Sequence, residues 1–345
     1  MSSPHETAEK SNLHALTPVE KAGTSLQTQH ELNPGIEFHP EALDNIRVNM
    51  SAVGRRTATL GGRRTVKKQW QAAWLLKAIA CMDLTTLSGD DTPGRVKRLC
   101  AKARNPLRHD IVEALGIQDL HLTTGAVCVY HEMVPTAVEA LKGTNIPVAA
   151  VSTGFPAGLS PFKQRVEEIK QSVKAGAKEI DIVITRHHVL RQNWQALYDE
   201  VRAFKDACGQ DVHLKAILAT GELATLRNVA KASMVSMMAG ADFIKTSTGK
   251  EKVNATLDFT LVMIRMIREY QDFTGYKVGY KPAGGISTAK DAMAYQVLIK
   301  EELGNEWLQP HLFRFGASSL LADIERQLEH YITGQYSAYN RHPIA

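Results

Sequence analysis

At 345 residues, with 44% hydrophobic and 22% charged residues, the chain has enough apolar material for a sizeable core, which argues against a disordered or fibrous protein. A formal charge of +5 is too mild for a polyelectrolyte, and no run of about 18 apolar residues is present to cross a membrane. The start, Met1-Ser2-Ser3-Pro4-His5-Glu6, lacks an apolar signal region, and Cys81, Cys100, Cys128 and Cys208 show neither paired spacing nor a Cys-x-x-Cys. Free thiols in a reducing, cytosolic setting are therefore expected.

Residues 1–65 are polar and glycine-rich, with one short helical candidate near 40–50, and read as an extension that is partly disordered at its start. Much of the net positive charge sits in one N-terminal tract that ends just past it, Arg55-Arg56 through Arg63-Arg64 and Lys67-Lys68. Without interleaved aromatics or a recognisable binding fold, this tract reads as a solvated face and not as a nucleic-acid contact. From there to about 335 the pattern becomes regular, and 336–345 form a tail. Apolar runs of strand length lie near 76–84, 126–130, 147–152, 179–184, 213–218, 242–246, 277–281 and 312–316. Segments of helical periodicity separate them. The segment 162–175 places Phe162, Val166, Ile169 and Val173 on one stripe before Gly176 ends it, and 191–207, 222–239, 254–270, 288–303 and 318–332 behave alike.

Strands alternating with helices imply parallel pairing through right-handed crossovers. Eight such units over roughly 260 residues predict a closed (β/α)8 barrel. The competitor, an open doubly wound sheet, lacks its Gly-x-Gly-x-x-Gly after the first strand. A barrel keeps its active site at the C-terminal ends of its strands. Asp83 closes strand one, Cys128 lies on strand two, Asp181 on four, Lys215 on five, Lys245 on six and Lys281 on seven. No metal-ligand cluster accompanies them, since His187-His188 is a lone pair.

A lysine avoids a dry interior, because desolvating an ammonium costs several kcal/mol or more. Lys245 and Lys281 each end an apolar strand, which points to a site that uses an amine. Burial and a neighbouring like charge both lower a lysine pKa and expose a nucleophilic nitrogen, as Schiff-base chemistry on a carbonyl requires.

Phe243-Ile244-Lys245-Thr246-Ser247-Thr248-Gly249-Lys250, with Lys281-Pro282-Ala283-Gly284-Gly285-Ile286, resembles deoxyribose-phosphate aldolase, a class I aldolase family built on the (β/α)8 barrel. The likeness extends through Met82-Asp83-Leu84-Thr85-Thr86-Leu87, Val127-Cys128-Val129-Tyr130, Glu179-Ile180-Asp181-Ile182-Val183-Ile184 and Phe315-Gly316-Ala317-Ser318-Ser319-Leu320. It covers about residues 70 to 335. The long extension and the run from Leu214 to Leu223 look like the longer, animal-type branch.

The resemblance implies reversible cleavage of 2-deoxy-D-ribose 5-phosphate to acetaldehyde and D-glyceraldehyde 3-phosphate, a lyase step of deoxynucleoside catabolism. It makes Lys245 the Schiff-base lysine, Lys281 its activating neighbour, and Asp181 the group that moves protons with a water. Asp83, Cys128, Lys215 and Thr248 are expected to line the substrate. No cofactor or metal is expected, because the imine itself serves as the electron sink. Glycine turns at helix starts leave N–H groups free for an anion. Gly249 and Lys250 after strand six, Gly284 and Gly285 after seven, and Gly316, Ser318 and Ser319 after eight are thus the expected phosphate site.

Three positions depart from the family pattern. Ser287 stands where many members carry arginine, His131 where proline is usual, and Ala219 where short bacterial members have an acid. A C-terminal tyrosine assists in some members, and either Tyr336 or Tyr339 is a candidate here. The alternatives are another class I sugar-phosphate aldolase or transaldolase, and a non-catalytic sugar-phosphate or RNA-associated barrel. The expected partner is a small sugar phosphate, without membrane or nucleic acid; the sequence permits a homo-oligomer without specifying one.

Overall fold

The computed structural model describes residues 32–342, and expectations for 1–31 and for the last three residues of the tail lie outside them. Eight parallel strands alternate with helices: β1 Met82–Thr85, β2 Ala126–Tyr130, β3 Val148–Ser152, β4 Glu179–Val183, β5 His213–Ile217, β6 Phe243–Lys245, β7 Gly279–Lys281 and β8 Phe315–Ala317. They pair in the order β7-β6-β5-β4-β3-β2-β1-β8, and the bridges Tyr280↔Phe313 and Ala283↔Gly316 join the two ends. The chain therefore forms the (β/α)8 barrel that its alternation predicts. Its strands are buried on both faces, which is why they read as short apolar runs.

Helix starts are fixed locally. Thr92, Asn193, Thr225, Thr256 and Thr288 each accept a hydrogen bond from the backbone N–H three residues on, the N-cap arrangement. Inside the barrel the register Phe243↔Gly279 matters, because a Cβ on Gly279 would fall 2.4–2.5 Å from the Phe243 ring. Only glycine leaves room for that ring beneath the site.

Two expectations need correction. The run 76–84 is not one strand: Lys68–Ala80 is a helix burying Leu75, Leu76, Ala78 and Ile79, and β1 begins at Met82. A short continuous apolar run is ambiguous between buried helix and strand, and this one holds the end of one and the start of the other. The extension carries three short helices, Pro40–Asp44, Met50–Ala58 and Leu60–Arg63, that bury Leu43, Val53 and Leu60. Its basic tract meets two acids of the barrel: Arg56 lies 2.9 Å from Glu301 and 3.0 Å from Glu302, and Arg64 lies 2.6 Å from Glu301. That pairing uses charge that a nucleic-acid surface would need.

The extension is fastened at Asn33, which is buried. Its amide donates to the carbonyls of Met237 (2.8 Å) and Ala241 (2.9 Å) and accepts from the Tyr270 hydroxyl (3.0 Å). At the other end, the tail returns along the helix Leu320–Thr333, with the buried His342 ring 3.1 Å from Glu329. Among the described residues no helix is long and apolar enough to cross a membrane.

Candidate active site

The strand periodicity of two sends alternate side chains into the barrel. On β4 these are Glu179 and Asp181, on β5 Lys215, on β6 Lys245, on β7 Lys281 and on β1 Asp83, and the register places Asp181↔Lys215 and Lys245↔Lys281 side by side. Arg314, just before β8, joins them from below. All seven are buried.

Their contacts form one ionic column. Arg314 donates to Asp83 Oδ1 at 2.6 Å and to Glu179 Oε1 at 2.8 Å. Lys215 bridges Glu179 to Asp181, whose Oδ1 lies 3.0 Å from its Nζ. At the top, Lys245 and Lys281 each lie 2.8 Å from Asp181 Oδ2, and Lys281 also reaches Asp83 Oδ2 at 2.5 Å. The structure thus brings Lys245, Lys281, Asp181, Asp83 and Lys215 into one cluster.

The two upper lysines are not equivalent. Burial opposes the charge of both. Lys281 has two carboxylates, Asp181 and Asp83, that outweigh it and raise its pKa above the ordinary lysine value. Burial also pushes Lys245 down; Asp181 is the only carboxylate that pulls it back, Lys281 repels its proton, and the net shift is downward. Burial works against the charge on Asp181 as well, yet the ammonium groups of Lys215, Lys245 and Lys281 hold its carboxyl well below the usual range.

Cys128 is buried beside this cluster, and burial raises its thiol pKa, so it stays protonated. With Ala149 and Val151 it forms a small apolar wall, packed by Leu87, Tyr130 and Phe155. Thr248 is buried and held by Glu251: its N–H and its hydroxyl both donate to that carboxylate, at 3.1 and 2.8 Å.

The glycine turns differ among themselves. Gly249 and Gly284 face each other, since a Cβ on Gly249 would sit 3.9 Å from Gly284 Cα. Gly249, Gly284 and Gly285 all have left-handed backbone, with φ of 86°, 80° and 80°. Lys250, Gly285, Ser318 and Ser319 are exposed around the mouth, the two serines at the start of the helix Leu320–Thr333. Gly316 is half-buried, and a Cβ there would fall 2.8 Å from Ala283 Cβ and 3.3 Å from Lys281 Cε, so its glycine makes room for both neighbours.

Of the departures, Ser287 is exposed, and His131 pairs with Glu168 at 3.3 Å, a contact that raises its pKa. His188 pairs with Glu200 at 3.2 Å. Among the described residues no three His, Cys, Asp or Glu side chains converge to hold a metal. Tyr336 stacks on His330, with ring centroids 4.1 Å apart, beyond the far end of the helix that starts at the mouth. The Tyr339 side chain is outside the described ones.

The sequence reading missed Glu179, Arg314 and Glu251. The first two had a signal. Glu179 shares the parity of Asp181 on one strand, and Arg314 interrupts the aromatic run Phe313–Phe315.

A model of the DeoC/LacD family of aldolases matches residues 77–325. The deoxyribose-phosphate aldolase of Homo sapiens is 58% identical over 315 residues, 91% of this chain and 99% of that protein. That of Mus musculus is 58% identical over 313 residues, 90% of this chain and 98% of that protein. Among solved structures, the deoxyribose phosphate aldolase from Aeropyrum pernix, described as tetrameric, has a TM-score of 0.56 and 20% identity, covering 77% of this chain and 98% of its own. At that identity the likeness is one of fold.

Proposed function

This chain belongs to the DeoC/LacD family of aldolases, and from that premise we propose how its ionic column cleaves 2-deoxy-D-ribose 5-phosphate to acetaldehyde and D-glyceraldehyde 3-phosphate. The observation that carries the reading is the asymmetry of the two lysines at Asp181 Oδ2. Lys281 answers two carboxylates and stays an ammonium; Lys245 answers one and is the amine that loses its proton.

Neutral Lys245 attacks C1 of the open-chain sugar, and loss of water from the carbinolamine gives a protonated imine. Lys281, a fixed cation beside it, disfavours a second charge on the resting amine. The ionised Asp181 carboxylate takes the proton of the C3 hydroxyl, directly or through a water. The C2–C3 bond then breaks, its electron pair moves into the imine to give an enamine, and D-glyceraldehyde 3-phosphate leaves. Return of the proton to C2 and addition of water release acetaldehyde and restore Lys245.

Asp83 and Lys215 support the two upper lysines and Asp181 from below. The wall formed by Cys128, Ala149 and Val151 offers no polar partner and suits the C2 methylene and the methyl it becomes. The facing turns at Gly249 and Gly284-Gly285, the start of the last helix at Ser318-Ser319, and Lys250 form the phosphate end. Buried free thiols at Cys81, Cys100, Cys128 and Cys208 suit a reducing cytosol.

Incubation with the substrate, borohydride reduction and peptide mass mapping test the reading. A single adduct on Lys245 is expected. An adduct on Lys281, or none, overturns it.

A further inference from the structure

The charges along the barrel axis do not cancel when every group is ionised. Asp83, Glu179 and Asp181 supply three negative charges, whereas Lys215, Lys245, Lys281 and Arg314 supply four positive ones. In a dry interior an uncompensated charge is costly, so the column is most stable with one base deprotonated. Lys245 is the base with the fewest carboxylate partners. Arg314 cannot be the one, because a guanidinium keeps its proton.

We propose that Arg314 and Glu179, below the reacting atoms, are positioning residues that set the proton count of the column in opposite senses: the Arg314 cation keeps Lys245 neutral, and the Glu179 carboxylate offsets it. The inference rests on Lys245 being the imine-forming amine. Arg314 is a fork between the two lower acids: one end takes Asp83 Oδ1, the other Glu179 Oε1, at 2.6 and 2.8 Å. Asp83 Oδ2 is left for Lys281, and Glu179 Oε2, which Arg314 reaches only at 3.3 Å, takes Lys215 as its closer partner. Each acid can therefore hold a lysine as a cation, Asp83 holding Lys281 and Glu179 holding Lys215, without needing the Lys245 proton.

No other charge facing Lys245 upsets the count. Asp181 faces it from β4, Lys281 from β7 and the protonated Cys128 thiol from β2, while β3 presents only Ala149 and Val151. Lys215 stands behind Asp181 on β5, and Asp83 behind Lys281 on β1. Burial lowers the pKa of His213, at the foot of β5, and so disfavours a further positive charge there.

Removing the Arg314 charge leaves three acids with two permanent cations. The missing proton then goes to the group of highest intrinsic basicity, and an amine exceeds a carboxylate by about six pKa units. Lys245 should keep its proton. Removing Glu179 has the opposite effect, leaving the cations in excess and driving the Lys245 proton off more readily.

The test is the pH dependence of borohydride-trapped acetaldehyde adduct in the full-length protein. R314M should move the acid limb up by about one pH unit or more, a roughly tenfold or larger loss of trapping at neutral pH. E179Q should move it down. R314M/E179Q should return it close to wild type, and R314K should move it less than R314M does. Limbs that move the same way in R314M and E179Q, or do not move, overturn the inference, as does a double variant that is no nearer wild type than R314M. If R314M does not fold by circular dichroism, E179Q and the double variant decide. Failure of the wild-type protein to form an adduct at Lys245 would sink the imine reading itself, whereas normal wild-type trapping with unmoved limbs sinks only this inference.

Discussion

Lys245 and Lys281 share one oxygen: each Nζ lies 2.8 Å from Asp181 Oδ2. Two amines within two hydrogen-bond lengths of each other cannot both hold a proton cheaply in a buried site. The second carboxylate on Lys281, Asp83, decides which of them does.

Replacing Lys281 by leucine removes the like charge that disfavours the Lys245 proton. The pKa of Lys245 should rise and the acid limb of the rate profile should move to higher pH. Each unit is a factor of about ten at neutral pH, so a loss of orders of magnitude is expected there, partly recovered in alkaline buffer. Lys281→Arg keeps the charge and should keep more of the depressed pKa. A Lys281→Leu profile that scales down without moving would assign Lys281 to proton donation or substrate binding instead.

Asp181→Asn separates imine formation from bond cleavage. Asp181 raises the Lys245 pKa, so its neutral replacement should shift the acid limb of acetaldehyde trapping to lower pH. Cleavage should fall by roughly 100- to 10,000-fold, the usual worth of a positioned acid–base group. A variant that cleaves at near wild-type rate would remove Asp181 from the proton path.

Lys250 is exposed at the mouth, where the phosphate end is proposed. Lys250→Ala should raise KM for the phosphorylated sugar about tenfold, the equivalent of one charge-assisted hydrogen bond of ~1.5 kcal/mol. Activity on unphosphorylated deoxyribose should change little. Equal loss on both substrates would place the phosphate elsewhere.

The Asn33 clip should be worth measuring as stability. Asn33→Ala removes the Asn33 partner of the Ala241 carbonyl and the Tyr270 hydroxyl, and one of the bonds to the Met237 carbonyl, which keeps the Gly240 N–H. A buried polar group left unsatisfied costs ~1–3 kcal/mol. A lower midpoint in urea with unchanged kcat is expected. A midpoint identical to wild type would show that the Asn33 clip contributes nothing to stability.

Acid should unfold the protein through its axis. Asp83, Glu179 and Asp181 all have folded pKa values below the ordinary carboxylate value, burial being outweighed by their cations. Their stabilisation is complete above the unfolded value of roughly 4 and is lost as pH falls toward the folded ones. Urea midpoints should drop steeply below about pH 4. A wild-type midpoint that is flat from neutral pH down to strong acid would refute this.

The barrel was legible because burial on both faces leaves a mark. β2 reads as an apolar run over 126–130, and the chain forms Ala126–Tyr130 as a strand. The helix Lys68–Ala80 was obscured at its end because an apolar stretch that runs from helix into strand shows no change of period. The extension was under-read because its helices, of five, nine and four residues, are too short to show periodicity and are held by the barrel they lie on.

By itself, the sequence determined the alternation of strands and helices, the lysines at two strand ends and the acid on a third, since hydrophobic period and misplaced charge are local properties. Which charges meet was decided only by closure. Glu179 on β4 and Arg314 before β8 come from separate parts of the ring, yet their side chains point to one axis and lie 2.8 Å apart. Whether a lysine is an ammonium or an amine depends on how many carboxylates reach it in a dry space. That is a sum over seven side chains from five strands and the turn before β8, and no stretch of sequence contains it.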